Sequence, residues 1–453
     1  MTNKSHAKYL VRPILIGAWL AATLLLAGIG TCDEPAYPIV TPKDRSEYLK
    51  QTPWIEVIER EVPPLANDLG DRMPMIMWHG VGFGPLSPQQ IKVLRDRGLT
   101  QHLQMDASMI PAALNLQAAG MPVILMQGRT DNWPYSLAEN ADDWAHQFDV
   151  TYQPKWFGDD DAFAWHGACP HKTDGWKILA RQTRDTMKQF RDAGVKVTGV
   201  WMDLEGDPYP WAHLFDQLKH CRRCRAELPA DIVNNQAAWR DDAWRRYVNL
   251  YDQHFAKSIR DVFPECLVTN WHVVVSTTNN PIRYFVRDVN LPELSLNFFN
   301  TTNPIAYGCD VGWLERPWPE QGLGDSDTQD VQALTQKMID DFYYHEIVQQ
   351  VQADHKNRTA AGTPHLTAIP WIARHCRIDT QQRAAPLMTR ERYRSALAEL
   401  WRHDLTTMQV FNAMHDGYEQ YAVTELQDAV LALDATLADR PETGAAGEKQ
   451  TVK

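Results

Sequence analysis

Two acids, Asp203 and Glu205, stand two residues apart in the run VTGVWMDLEGDPYPW, residues 197–211. The run starts as an apolar, strand-forming stretch and ends in Gly and Pro, so the acids fall where strand gives way to loop. Alternate strand residues face the same way, which puts Trp201, Asp203 and Glu205 on one face. At a rise of about 3.3 Å per residue, the two acids lie about 6–7 Å apart at Cα. Like charges that close disfavour joint ionisation, so one carboxyl keeps its proton nearer neutrality while the other stays charged. Such a pair can divide the work of proton donor and charge stabiliser. Trp201, Tyr209 and Trp211 surround it with flat apolar faces and polar edges, which suit polyhydroxylated rings. The alternative is a pair of solvated loop acids, one of them capping the next helix.

The elements that would position this pair follow from hydrophobic period. Short apolar runs at 73–80, 99–106, 121–128, 196–205, 265–273, 293–300, 364–372 and 404–413 read as strands. Between and after them, helical period predicts helices over 88–97, 107–119, 176–194, 231–263, 281–289, 328–353, 388–403 and 418–437. Strands each followed by a helix predict an α/β fold, a (β/α)8 TIM barrel with long βα-loop insertions. The open, doubly wound alternative wants a glycine-rich phosphate loop after the first strand, and HGVGFGP has neither the spacing nor the following acid. The long connections, 129–175, 206–230 and 301–327, all follow strands, which is the functional side of such a barrel. The chain divides into an export signal (1–32), an N-terminal extension (33–72), the barrel (73–438) and a polar tail (439–453) expected to be disordered.

Other strand ends carry polar and aromatic groups that would meet at the same rim. Trp78, His79, Asp106, Arg129, Trp201, Trp211, Asn270, Trp271, His272, Asn300, Trp371, Arg374, Asn412 and Asp416 are the candidate substrate-binding residues. A polar residue at the end of a core strand needs a partner, because unpaired burial costs about 1–3 kcal/mol. A ligand rich in hydroxyls would supply partners for many at once.

The segment Gly199-Val200-Trp201-Met202-Asp203-Leu204-Glu205 resembles the strand-4 motif of chitinase- and hyaluronidase-type glycoside hydrolases, (β/α)8 barrels that end this strand in Asp-x-Glu. The resemblance implies that Glu205 protonates a glycosidic oxygen and that Asp203 orients the substrate or stabilises developing charge. It implies a polysaccharide or oligosaccharide substrate. The chain departs from the motif at Thr198 and Trp201, where that family has further acids. Phe299-Asn300 stands where that family follows strand 6 with Tyr and an acid or amide. The end of strand 7 offers Trp371, Arg374 and His375 and no second Glu, unlike the two-carboxylate retaining barrels. An inverting pair, with carboxylates about 6.5–9.5 Å apart, would draw on Asp106, Asp131 or Asp416.

Composition bounds the rest. Lys4, Lys8 and Arg12 precede the apolar run PILIGAWLAATLLLAGIG, which ends at Gly30 and is followed by Thr31 and Cys32. That order marks an exported protein, either cleaved near Gly30 or held at a membrane by lipid on Cys32. A net charge of −12 argues against nucleic acid as a partner. Seventeen Trp supply either a large aromatic core or stacking platforms. Cys221 and Cys224, with Cys169 and His171 from the preceding insertion, could form a structural zinc site. Export favours disulfides for the same cysteines. No cofactor is required for the chemistry. The resulting expectation is an exported glycoside hydrolase-like barrel. The alternatives are a noncatalytic carbohydrate-binding barrel and a metal-dependent hydrolase.

Overall fold

In the computed structural model, residues 53–77, 85–127, 171–202, 220–270, 297–302, 389–403, 405–410 and 419–439 are described. Shorter described pieces lie at 305–306, 348, 351–352, 355–356, 367–372, 375–377 and 384–386. The strands are β1 (Met75–Met77), β2 (Leu99–Gln104), β3 (Val123–Gln127), β4 (Val197–Met202), β5 (Leu267–Asn270), β6 (Thr301–Thr302), β7 (Ile305–Ala306), β8 (Thr367–Ala368), β9 (Trp371–Ile372) and β12 (Gln409–Val410), with a hairpin of β10 (His375–Arg377) and β11 (Ala384–Pro386) between the last two. One sheet runs β5-β4-β3-β2-β1-β12-β9-β7, and β6 pairs with β8. Every pair except the β10–β11 hairpin is parallel.

One barrel strand is split: Ile369-Pro370 divides β8 from β9. Proline has no N–H to give a ladder, so the interruption follows from the sequence. The Pro370 carbonyl still accepts a bond from Gln409 N at 2.8 Å. Residues 303–304, between β6 and β7, lie outside the described residues. Taken as single strands, β6–β7 and β8–β9 are the sixth and seventh staves and β12 is the eighth.

The sheet order leaves β5 and β7 at its two ends, and the barrel closes between β5 and β6 through side chains. Asn300 Oδ1 accepts from Val268 N at 2.7 Å, and Asn300 Nδ2 donates to Cys266 O at 2.9 Å. Next along, Thr301 Oγ1 donates to Val268 O at 3.0 Å. The segment that presents these two residues is itself clamped by Asp252. The amides of Phe298 and Phe299 donate to Asp252 Oδ1, each at 2.9 Å, and that of Asn297 to Oδ2 at 3.1 Å. The Gln253 side chain adds a bond to Oδ2 at 3.0 Å. Asp252 is fully buried. Burial pushes its carboxyl above the usual carboxylate range, against the pull of those four donors.

The helices complete the repeat. After α1 (Trp54–Glu61) come α2 (Pro88–Arg95), a 3-10 turn (Ala107–Met109) leading into α3 (Ile110–Ala118), and α4 (Asp174–Asp192). After β4 come α5 (Arg222–Glu227), α6 (Ala230–Val233) and α7 (Gln236–Leu250), which runs through a π turn (Tyr251–Ala256) into α8 (Lys257–Arg260). The chain finishes with α9 (Arg390–Trp401) and α10 (Glu419–Ala438). Their starts are readable: Ser87 and Gln90 form a capping box on α2 with Pro88 in the first turn. On α4 the buried set Trp176, Leu179, Ala180, Thr183, Met187 and Phe190 recurs at helical spacing. Outward strand residues such as Met75, Met77, Leu99, Leu103, Leu125 and Val268 join these helix faces in the main core.

Several expectations move. The strand expected over 293–300 is displaced: among the described residues, pairing of the sixth stave begins at Thr301, and 297–300 is the clamped lead-in. The single helix expected over 231–263 is three pieces and a π turn. Asn235 caps α7, its side chain accepting from the backbone of Ala237 at 3.1 Å and Ala238 at 3.2 Å. Helix α1, within the expected extension, buries Trp54, Ile55, Val57 and Ile58 in the main core. Arg97 ties it down by donating to Glu59 O and Val62 O, both at 2.7 Å. The helix expected over 281–289 and the export signal lie outside the described residues. No helix among the described residues is long and apolar enough to cross a membrane.

The seam predicts its own weak point. Asn300→Ala leaves the Val268 N–H and the Cys266 carbonyl without their partner. At about 1–3 kcal/mol for each buried group left unpaired, the expected loss is about 2–6 kcal/mol of unfolding free energy. Urea denaturation with an unchanged m-value checks it.

Candidate active site

A parallel barrel sends all its strands in one direction, so the C-terminal strand ends share one mouth. What reaches that mouth is set by which residues face inward, and on β4 this phase is not simple alternation. Val123 pairs with Val197, but the next residue, Ile124, pairs with Gly199. Thr198 is therefore an extra residue, a β-bulge. Its Oγ1 accepts from Val123 N at 3.2 Å, giving that amide an acceptor inside the bulge. Val197, before the bulge, is in register with Val123, whose neighbour Ile124 faces the interior, so Val197 faces outward. After the bulge Gly199 faces the interior, where a Cβ would lie 3.2 Å from Ile124 Cδ1 and 3.5 Å from Leu267 O. Glycine leaves those neighbours undisturbed, whereas a side chain would require the Ile124 end to shift by a few tenths of an ångström.

The interior is filled in layers from alternate staves. Ile76, Ile124 and Ile369, with Leu267 packed against them, form an apolar layer from the first, third, fifth and seventh staves. The second, fourth and eighth staves supply His102, Trp201 and Gln409 as inward neighbours of that layer. His102 is in register with Ile124 and Gln409 with Ile76. The His102 and Trp201 rings stack, with centroids 5.4 Å apart and planes 21° from parallel. Burial pushes the His102 imidazole down to about 3. It is thus a neutral ring near neutral pH.

The candidate residues separate on this frame. Trp201, expected to offer its face to a ligand, is 1% exposed and packed on His102, so it forms the interior under the mouth rather than a stacking platform. Asn300, expected at the rim, precedes its strand and is committed to the β5 seam. Phe299 beside it is 2% exposed in the main core, so Phe299-Asn300 is not a rim pair of the kind the family resemblance implied. Both corrections have one cause: the alternating apolar residues of ELSLNFFN read as a strand, whereas its two phenylalanines lie in the clamped lead-in.

Asp106 is exposed at the end of the β2 stave and caps the 3-10 turn, accepting from Ser108 N at 2.8 Å. The Ser108 hydrogen bonds hold its carboxyl below the usual range, so it stays ionised near neutrality and can accept but not donate a proton. Asn270 ends β5 in register with Met202, and Trp371 opens β9 in register with Gln409 and Ile305. Asp203, Glu205, Trp78, His79, Arg129, Trp211, Trp271, His272, Arg374, Asn412 and Asp416 lie outside the described residues, as does Cys169. Cys221 and Cys224 are buried at the start of α5 in a small cluster with Leu228 and Trp239, and His171 is half-buried just before α4. Among the described residues no three His, Cys, Asp or Glu converge as metal ligands. Sequence reading missed His102 and Gln409, although a His and two Gln within the apolar run LTQHLQ were a signal of an interior polar layer.

The His102 environment makes a pH prediction. Unfolded, this imidazole takes a proton below its ordinary 6.5; folded, it does not until about 3. The unfolded state therefore binds more protons in that window, and stability falls as pH falls through it. Relative to wild type, His102→Phe should flatten unfolding free energy against pH between 6 and 4. The slope removed should approach about 1.4 kcal/mol per pH unit. Above pH 7 the two proteins should differ little in pH dependence.

No protein-family model matches the chain, and no curated protein matches it. Among solved structures, the endo-β-1,4-mannanase of Thermotoga petrophila is 10% identical with a TM-score of 0.42, covering 82% of this chain and 78% of its own. Bee venom hyaluronidase is 8% identical with a TM-score of 0.37, covering 80% of this chain and 99% of its own. A glycoside hydrolase family 5 enzyme of Prevotella bryantii, solved with a xyloglucan tetradecasaccharide, is 11% identical with a TM-score of 0.39, covering 82% and 99%. Similarity at that level carries no argument about substrate or mechanism. The strand order and register establish that this chain folds as a (β/α)8 barrel.

Proposed function

We propose that the protein is an exported glycoside hydrolase that cleaves a glycosidic bond in a polysaccharide or oligosaccharide, with its site at the C-terminal mouth of the barrel. The observation that carries this reading is the phase of β4. After the Thr198 bulge its inward row is Gly199 and Trp201. Continued along the sequence, that row is Asp203 and Glu205. Glu205 is the proton donor to the leaving oxygen, and Asp203 orients the substrate or stabilises the positive charge that develops on the sugar. With Trp201 occupied in the interior, stacking on the sugar falls to Trp211, Trp271 and Trp371. Asp106, already ionised, is suited to accept bonds from hydroxyls or to activate water. The chemistry uses no cofactor, and Cys169, His171, Cys221 and Cys224 serve the fold as zinc ligands or as disulfides.

The test compares the full chain with Glu205→Gln on neutral and N-acetylated oligosaccharides, products being read by mass spectrometry. Loss of general-acid catalysis predicts a fall of about 10²–10⁴-fold in kcat, with sugar binding retained. Equal cleavage by both proteins would remove Glu205 from the mechanism. Binding without cleavage by either would leave a carbohydrate-binding barrel.

A further inference from the structure

We infer that Thr198 is the positioning residue of the site: its bulge selects which residues of β4 face the barrel interior. The catalytic part of this inference rests on the function proposed above; the geometric part does not. Without an inserted residue, strict alternation would continue from the outward Val197, sending Thr198 inward and Gly199 outward. Every later residue of β4 would then change face, Trp201 included. The pairing of Val123 with Val197 and of Ile124 with Gly199 shows that the inserted residue is there.

Three independent contacts depend on the phase it sets. Gly199 lies close against Ile124 and Leu267, so that a Cβ there would stand 3.2 Å from Ile124 Cδ1 and the isoleucine would have to shift to receive it. Trp201 stacks on His102. Val123 N donates to the Thr198 hydroxyl. The side chain at 198 must therefore supply a hydrogen-bond acceptor close to its own backbone, which Thr and Ser can do and Val cannot.

Thr198→Val keeps the shape and removes the acceptor; Thr198→Ser keeps the acceptor. Both full-length variants are compared with wild type by the imidazole proton shifts of His102, assigned through loss of the signal in His102→Phe. The Trp201 ring current displaces those shifts for as long as the stack holds. Kinetics on whichever oligosaccharide wild type cleaves supply the second reading. We expect Thr198→Ser to match wild type in both. Thr198→Val should move the His102 shifts toward those of an unstacked ring and lower kcat about 10–100-fold, as a misplacement of about 1 Å does, with KM changing less than about threefold.

Wild-type His102 shifts and kcat in Thr198→Val would overturn the inference. So would a loss in Thr198→Val that Thr198→Ser does not rescue. If Glu205→Gln leaves cleavage intact, the proposed function fails, and the His102 shifts alone then decide whether Thr198 sets the phase. If Thr198→Val does not fold, Thr198→Ala, which removes the same acceptor with less bulk, takes its place under the same criteria.

Discussion

Closure of a barrel is an all-or-nothing constraint: a parallel sheet that fails to meet its own far edge leaves two rows of unpaired backbone groups. Here the meeting is made by Asn300 and Thr301, whose side chains take the places of ladder groups against Cys266 and Val268. Asp252 is what makes that substitution possible. A carboxylate on a π turn holds three successive amides, and the chain entering the sixth stave is thereby fixed in height and direction before it pairs. The π turn adds a residue to a helical turn and so shifts the phase of the helix beyond it. Tyr251 and Phe255 remain in the main core while Asp252 is aimed at the seam. Removing charge from water is costly, and the four hydrogen bonds are what make burial of this acid tolerable.

The interior shows how packing becomes chemistry. Its lower layer is aliphatic and its neighbour toward the mouth is a neutral imidazole, an indole and an amide. That sequence of layers brings polarity to the end of the barrel where the long connections lie. A buried imidazole that resists protonation adds hydrogen-bonding capacity without adding charge. A cation there would sit beneath any pair of acids at the mouth and alter how they share a proton. The bulge on β4 then determines what those layers support, because one inserted residue decides the face of every residue after it.

Much of the frame was legible in the sequence. Apolar runs near 75, 100, 124, 199 and 268 were strands because they are short, β-rich and bounded by turn formers, and the helices after the first four agree in place if not in every boundary. The sixth stave was not legible. ELSLNFFN alternates like a strand, while Thr301-Thr302 and Ile305-Ala306 are too short and too interrupted by Pro304 to show a period. The site was legible in its residue types and less so in their roles. Trp201 reads as a platform because aromatic residues near acids often are, yet a large ring also fills a barrel layer, and only register distinguishes the two. The bulge left no sign, since Thr198 is an ordinary strand residue and its hydroxyl bond to Val123 joins strands 75 residues apart.

A seam fastened by side chains has a consequence for how the molecule behaves in company. The clamp joins residues more than 40 positions apart, so it forms only after the intervening chain has been gathered in. Until then β5 and β7 are bare edges, each offering the pattern of donors and acceptors that another strand would match. A neighbouring molecule at the same stage presents the complementary edge. Refolding therefore becomes a race between closure, whose rate is indifferent to dilution, and exchange of staves between copies, whose rate is not. Crowded chains would build linked barrels from the same contacts that make one barrel in isolation.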